Sequence, residues 1–357
     1  GWYSAGPFSE PVIFFNDIKR TDEQRGVFGE VSFAMTDTTE LSIGARWYDI
    51  AVDFEGSANS SFFNGFGNPD TQQFGSNLSA QYAPGNANGY PDKAETDGVI
   101  GKVTYSWKPS EDKMYYVTWS EGFRPGLLNR PVGRTSADGS YSVPPSVDSD
   151  EITNWEFGWK NTLQDGRLRF NGSIFRVDVS GLQSTIFDPS IVNLFFSDNA
   201  ADAEIKGVEG DFIYYTEGGL ILSGAFSLLD TEITKSLIPT GDIVVGQELA
   251  FAPGFQANLS GRKEWTMEGG NTGFWQVQFN MSDKSYSDIM QPNRAQQDSY
   301  NLTNLRAGIS TDDWTAEMYV DNVTDERAEI SNTFVFDRQR VAVIRPMTVG
   351  LRYKMKF

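Results

Sequence analysis

The 357 residues carry 29 Lys and Arg against 48 Asp and Glu, a formal charge of −19, and include neither cysteine nor histidine. That excludes a thiol nucleophile, a Ser-His-Asp triad, an ordinary zinc site, the usual haem ligand and any disulfide framework. The acidic balance also argues against nucleic acid as a partner, because phosphate binding needs a concentrated cationic face.

Aromatics make up 14% of residues, and Gly and Pro number 35 and 15, a composition that suits many strands joined by turns. The length allows two or three soluble domains or one large barrel. No run of about 18 apolar residues occurs, which rules out a transmembrane helix but not a barrel, where only alternate residues meet lipid.

Residues 1 to 22 read as a loop. The chain opens GWYSAGPF, with neither an initiator Met nor a signal segment, so further chain is expected before Gly1. From Gln24 to Met35, Val27, Gly29, Val31, Phe33 and Met35 alternate with polar residues. After a Thr36 to Thr39 turn, Leu41, Ile43, Ala45 and Trp47 do the same. Period two over that length predicts an antiparallel hairpin. Residues 56 to 93, rich in Gly, Asn, Ser and Phe, read as a long loop. A strand through Val99 to Trp107, a Pro109 to Asp112 turn and a strand through Tyr115 to Trp119 follow, and 122 to 149 is again loop.

The same grammar continues in pairs: 150 to 163 with 166 to 182, 202 to 216 with 219 to 232, 250 to 265 with 272 to 284, and 297 to 310 with 313 to 323. The last strand, Arg345 to Phe357 (RPMTVGLRYKMKF), alternates Val349, Leu351, Tyr353, Met355 and Phe357 with Gly350, Arg352, Lys354 and Lys356. About thirteen strands result. Short turns alternate strictly with connections of about 12 to 38 residues, the asymmetry of a barrel with one trimmed rim and one working rim.

The polar faces collect Glu30, Arg46, Lys102, Glu156, Lys160, Arg306, Glu317 and Arg352. Burying so many ions in a dry interior costs several kcal/mol each, so these faces are expected to line water or a polar filler. Trp107, Tyr115, Trp119, Trp265 and Trp314 sit near strand ends, as interfacial girdles do.

In the loops, Phe62, Phe63 and Phe66 form a candidate aromatic ligand platform, against simple packing of the loop on itself. Tyr286, Asp288, Asn293 and Arg294, and Phe334, Phe336, Arg338 and Arg340, are similar candidates. Arg124, within Gly122 to Gly126, either orients a loop or meets an anionic ligand, against a plain rim turn. Asp148, Asp150 and Glu151, and Asp198, Asp202 and Glu204, read as solvated rim charge rather than calcium ligands. Carboxylates spread along the polar faces, rather than paired, argue against an enzyme.

Several segments resemble the TonB-dependent receptors of the Gram-negative outer membrane. These are YYVTWSEGFRPGLLNR (Tyr115 to Arg130), NWEFGWKNTLQDGRLRFNGSIFRVDVSGLQ (Asn154 to Gln183), DNAADAEIKGVEGDF (Asp198 to Phe212), APGFQANLS (Ala252 to Ser260), the run from Tyr300 to Glu326, and the terminal strand. In order, they span residues 23 to 357.

The resemblance implies a transmembrane up-and-down β-barrel of about 22 strands with a plugged lumen, of which this chain supplies the C-terminal portion, the plug and early strands being absent. It further implies extracellular loops that bind a scarce nutrient: a ferric siderophore, cobalamin or an oligosaccharide. Import would draw on TonB with ExbB-ExbD through the missing N-terminal part. Tyr353 and Phe357 would be the terminal signal read by the barrel-assembly machinery, and the protein would be a monomer without a cofactor or metal. A passive porin-like barrel and a soluble all-β binding module remain as alternatives.

Overall fold

The computed structural model describes residues 14–60, 76–77, 93–129, 135–188, 190–335 and 338–356. Its main sheet contains β1 (Phe14–Ala34), β2 (Thr39–Ser60), β3 (Ala94–Ser110), β4 (Lys113–Arg124), β5 (Asp150–Leu163), β6 (Leu168–Asp188) and β7 (Val192–Tyr215). It continues with β8 (Leu220–Ser236), β9 (Phe255–Thr266), β10 (Thr272–Ser282), β11 (Tyr300–Ser310), β12 (Trp314–Asp321) and β13 (Thr348–Met355). Each strand lies beside its neighbours in sequence, without a crossover, and the pairs are antiparallel. Among the described residues the path runs from β1 to β13 without closing.

The tight connections sit at one rim. Gln164 and Asp165, at φ 53° and 55°, precede Gly166 at 86°, so the β5–β6 turn passes through the left-handed region that suits Gly. At the same rim Gly219 turns β7 into β8, and Gly269 and Gly270 turn β9 into β10.

Registers carry the polar set across the sheet on a single face. Glu30 and Lys102 both lie opposite Gly44, and their side chains pair at 3.6 Å. Thr118 faces Glu156. At the far end Arg306 and Arg352 flank Glu317 at 3.6 and 3.1 Å. The opposite face is apolar and open. Leu351 is 83% exposed and Trp155 54%, with Val27, Val31, Val99, Val117, Ile174 and Met318 also bare. Trp107 and Tyr115, and Trp314 and Tyr353, form ring pairs at centroid distances of 5.7 and 5.9 Å near the tight-turn rim.

Buried clusters gather instead toward the long-connection end. One contains Tyr48, Ile50, Val52, Ala94 and Leu128, with Phe123 stacked on Tyr48 at 3.7 Å.

Three expectations need correction. The first strand begins at Phe14, so residues 14 to 22 are strand rather than loop, paired with 52 to 60 of β2. The stretch from 183 to 201 is likewise no long loop, because β6 and β7 continue as a projecting hairpin to Asp188 and Val192. Beyond an apolar band both faces of a strand meet polar surroundings, so pairing persists while period two fades. Conversely, 250 to 254 are not strand: β9 starts at Phe255.

Close approach explains one glycine on the polar face. A Cβ at Gly158 would fall on the ring of Tyr116, whose hydroxyl donates to Glu156 at 2.5 Å; an aromatic ring thus covers a cross-strand glycine. Gly158→Val in the full-length protein is expected to cost about 1–3 kcal/mol through overpacking. The drop appears as a lower temperature for loss of the folded band on detergent gels. Gly29→Ala, which enters open space, leaves that temperature unchanged.

Candidate functional site

The long connections are packed together rather than splayed. Tyr141 and Val143 from the β4–β5 connection, Ile186, Phe196 and Ala200 from the projecting hairpin, Ile238 and Ile243 from the β8–β9 connection, and Ile289 and Met290 from the β10–β11 connection share one buried cluster. The Val, Ile, Phe and Met side chains among them contribute about 1.5–3 kcal/mol each when fully buried, enough to fix loops that their own sequences leave irregular. Polar contacts close the same assembly: Asn293 donates to the Phe187 carbonyl at 2.9 Å, Asn129 to the Ser197 carbonyl at 2.7 Å and Tyr141 to Asp198 at 2.6 Å. Burial, then the neighbouring Asp198 charge, pushes the Tyr141 hydroxyl upward.

Arg124 orients this rim. Its Nε donates to Asp150 at 2.7 Å, and the backbone N–H groups of Arg124 and Gln183 reach the same carboxylate at 3.0 and 3.3 Å. The guanidinium also donates to the Gln183 carbonyl at 3.0 Å, while the Gln183 amide donates to the carbonyls of Pro125 and Asp148 at 2.9 and 2.8 Å. Asp150 is 0% exposed. It is therefore not the solvated rim charge its sequence context suggests: hydrogen bonds from two strands and a guanidinium hold it in place of water. Gln183 and Asn199 had no sequence signal. Each is a lone amide, and Asn199, which donates to the Gly181 carbonyl at 2.7 Å and accepts from the Asp148 N–H at 2.9 Å, acts on residues distant in sequence.

Tyr286 and Arg294 are brought together. The guanidinium stacks 3.9 Å from the ring centroid and donates to the Asp288 carbonyl at 2.7 Å. Asp288 accepts from the Met290 N–H at 2.9 Å, and burial raises its carboxyl above the ordinary value against those bonds and the Arg294 charge. Burial likewise lowers the Arg294 guanidinium.

Arg338 and Arg340 are exposed on a separate hairpin, Glu329–Val335 with Arg338–Val343. Phe62, Phe63, Phe66, Phe336 and Phe357 lie outside the described residues, and of Phe334 only the backbone is described. Tyr353 is exposed on the apolar face. A cleft of about 170 Å³ lined by Phe251, Gln256, Gln297, Tyr300 and Glu329 is smaller than the roughly 300–1,000 Å³ of a small-molecule site. Among the described residues, no group of His, Cys, Asp or Glu has the geometry to hold a metal.

An antiparallel meander with one bare apolar face, one ion-paired polar face, one trimmed rim and one rim of interlocked connections is the wall of a membrane-spanning barrel. The family model of the TonB dependent receptor-like β-barrel matches residues 2–323, and the chain belongs to that family, as part of its barrel. The probable TonB-dependent siderophore receptor PiuA of Acinetobacter baumannii is 22% identical over 233 residues, 64% of this chain and 27% of that protein.

The same fold recurs in solved structures. The ferric yersiniabactin uptake receptor FyuA of Yersinia pestis matches with TM-score 0.72 at 17% identity, covering 95% of this chain and 46% of that one. The siderophore receptor PiuA gives 0.64 at 18%, over 94% and 43%, and the Pseudomonas aeruginosa ferripyoverdine receptor 0.62 at 16%, over 95% and 39%. The chain thus spans less than half the length of these relatives.

Two outcomes test the rim. Arg124→Ala strands a buried carboxylate and is expected to cost about 3 kcal/mol, the low end for a broken buried pair because the guanidinium itself is half exposed. Limited proteolysis would then cut within 125 to 149 while the barrel band persists, and Arg124→Lys, lacking the fork, rescues only partly. The raised Asp288 favours the folded loop in its protonated form. Its contribution is full below the ordinary value of 3.8 and is lost as pH rises through the raised one. Protease protection of 283 to 299 is therefore expected to fall with rising pH, and Asp288→Asn to flatten that dependence.

Proposed function

We propose that the protein is an outer-membrane receptor that binds a ferric siderophore with its extracellular rim and imports it with energy supplied through TonB. The observation that carries this reading is the combination of a lipid-compatible wall with a rim of loops locked to one another. Such a wall crosses a bilayer, and such a rim presents a fixed surface to a ligand outside. Family membership and the siderophore receptors among the relatives support the choice of a ferric chelate over cobalamin or an oligosaccharide.

On this reading the apolar face meets acyl chains in the Gram-negative outer membrane. Glu30, Arg46, Lys102, Glu156, Lys160, Arg306, Glu317 and Arg352 then line a hydrated lumen. The polar face suits water or a filler with hydrogen-bonding groups of its own, since so many ions are costly to bury in a dry interior. A plug segment in that lumen would carry the pull of TonB, itself driven by ExbB-ExbD. The terminal strand with Tyr353 and Phe357 would be read by the barrel-assembly machinery, and one copy would suffice for transport. Arg338 and Arg340, being exposed cations, suit an anionic chelate better than Arg124 and Arg294, whose guanidinium groups are already engaged.

Tryptophan-fluorescence titration of the full-length protein with ferric catecholate, hydroxamate and mixed siderophores, cobalamin and oligosaccharides tests the ligand. Micromolar or tighter binding of one ferric class is expected, weakened about tenfold by Arg338→Ala with Arg340→Ala, the loss of about 1.4 kcal/mol. Binding of cobalamin or a sugar with no ferric chelate bound contradicts the siderophore. Uptake that persists without TonB favours the porin-like alternative.

A further inference from the structure

The polar face is not uniform. Across β1 to β5 it carries Glu30, Arg46, Lys102, Glu156 and Lys160. On β9 and β10, toward the long-connection rim, it presents amides and hydroxyls instead: Gln256, Asn258 and Ser260 lie opposite Ser282, Asn280 and Gln278. Ser227 and Ser223 of β8 extend the first and third of these rows on one side, and Asn304 of β11 extends the third on the other. Ala225, Leu302 and Tyr300 fill the remaining places, so no charged side chain interrupts the strip. Its groups also bond to one another. Asn258 donates to Asn280, and Gln276 to Ser260 at 3.1 Å. An amide has two donors and two acceptor sites, so each keeps capacity for water or for a passing oxygen atom.

Charge borders the strip, but it is held in place. Toward the tight-turn rim Arg262 pairs with Glu264 at 2.7 Å, and Arg306 with Glu317 at 3.6 Å and Asp321 at 3.5 Å. Beside the strip on β7, Glu209 and Asp211 stand opposite Ser227 and Ala225, accepting from Ser173 at 3.4 Å and Asn171 at 3.2 Å. The strip's upper row opens into the rim. Gln256, Ser282 and Tyr300 line the small cleft beside Glu329, the first residue of the hairpin whose return strand carries Arg338 and Arg340. Asp283 and Asp298 line that cleft too, and their charge keeps an anion from resting in it.

We infer that the neutral strip is the track by which cargo leaves the rim for the lumen, on the reading that this wall belongs to a receptor importing an anionic ferric chelate. A route must bind its cargo well enough to admit it and weakly enough to release it. A free cation would hold an anion and a free carboxylate would repel it. Amides and hydroxyls instead exchange hydrogen bonds between water and the chelate's oxygen atoms at little net cost. Glu209 and Asp211, at the β7 side, turn the anion back toward β9 to β11.

Radioiron uptake tests this in cells whose sole receptor is the full-length protein, with iron supplied in turn as ferric catecholate, hydroxamate and mixed siderophores. Asn280→Asp repels an anion on the track and Asn280→Lys retains it. Each is expected to slow the initial rate about tenfold at saturating chelate, while the dissociation constant at the rim stays within about twofold. Asn258→Lys with Asn280→Asp, opposite one another and without net charge, regains most of the rate. Thr104→Asp, on the polar face of β3 opposite Ser42 and Thr118, leaves it unchanged. All four keep the folded band on heated detergent gels. Wild-type rates in both Asn280 variants, equal slowing by Thr104→Asp, or no recovery in the paired variant overturns the track and leaves the receptor reading standing. A wild-type protein that takes up none of the three chelates in a TonB-dependent way overturns both.

Discussion

A strand in hydrocarbon must give away every backbone N–H and C=O to a neighbour, because nothing else there accepts them. This chain meets that demand with the simplest wiring, each strand paired to the one before and the one after. Once the backbone is spent in this way, side chains alone decide which face meets which solvent. Period two makes that decision residue by residue, and a slip of one position would exchange Trp155, Phe157 and Trp159 for Asn154, Glu156 and Gly158. Ion pairs such as Arg306–Glu317–Arg352 then tie neighbouring strands on the polar face, where their charges cost little.

The two rims follow from the same wiring but obey different chemistry. At the tight rim the chain needs only to reverse, and left-handed residues at 164 to 166 achieve it. At the other rim the strands outrun the apolar band and their connections are buried against one another through Ile186, Phe196, Ile243, Ile289 and Met290. That second layer is held to the wall by Asp150, which receives hydrogen bonds from β4, β6 and the Arg124 guanidinium at once. The wall thus supports a mouth whose connections are locked to one another and to it.

Much of this was legible in the residues. Strand number, the turns at 36 to 39, 109 to 112 and 164 to 166, and the division of faces all follow from alternation, which is local and unambiguous wherever a strand has lipid on one side. The signal fails where that asymmetry ends. Residues 14 to 22, 183 to 188 and 192 to 201 are strand without a period, so their sequence resembles loop. Asp150 shows a further limit: its burial depends on Arg124 and Gln183, 26 and 33 residues away, and an acidic cluster near a rim carries no trace of such partners. Tyr286, Asp288, Asn293 and Arg294 read as loop candidates for ligand contact, each against simple loop packing, and the structure stacks Arg294 on Tyr286 within that loop.

The account rests on two solvents on two sides of one sheet. Because this chain has no cysteine, single Cys substitutions from Asn154 to Lys160 of the full-length protein in vesicles can be labelled one at a time, any cysteine elsewhere in it first being replaced. A water-soluble maleimide is predicted to react at 154, 156 and 160, Gly158 being left in place under the Tyr116 ring, and a spin label at 155, 157 and 159 to be relaxed by oxygen dissolved in the bilayer. Reactivity that fails to alternate, or positions 155, 157 and 159 sealed from both probes, would contradict it.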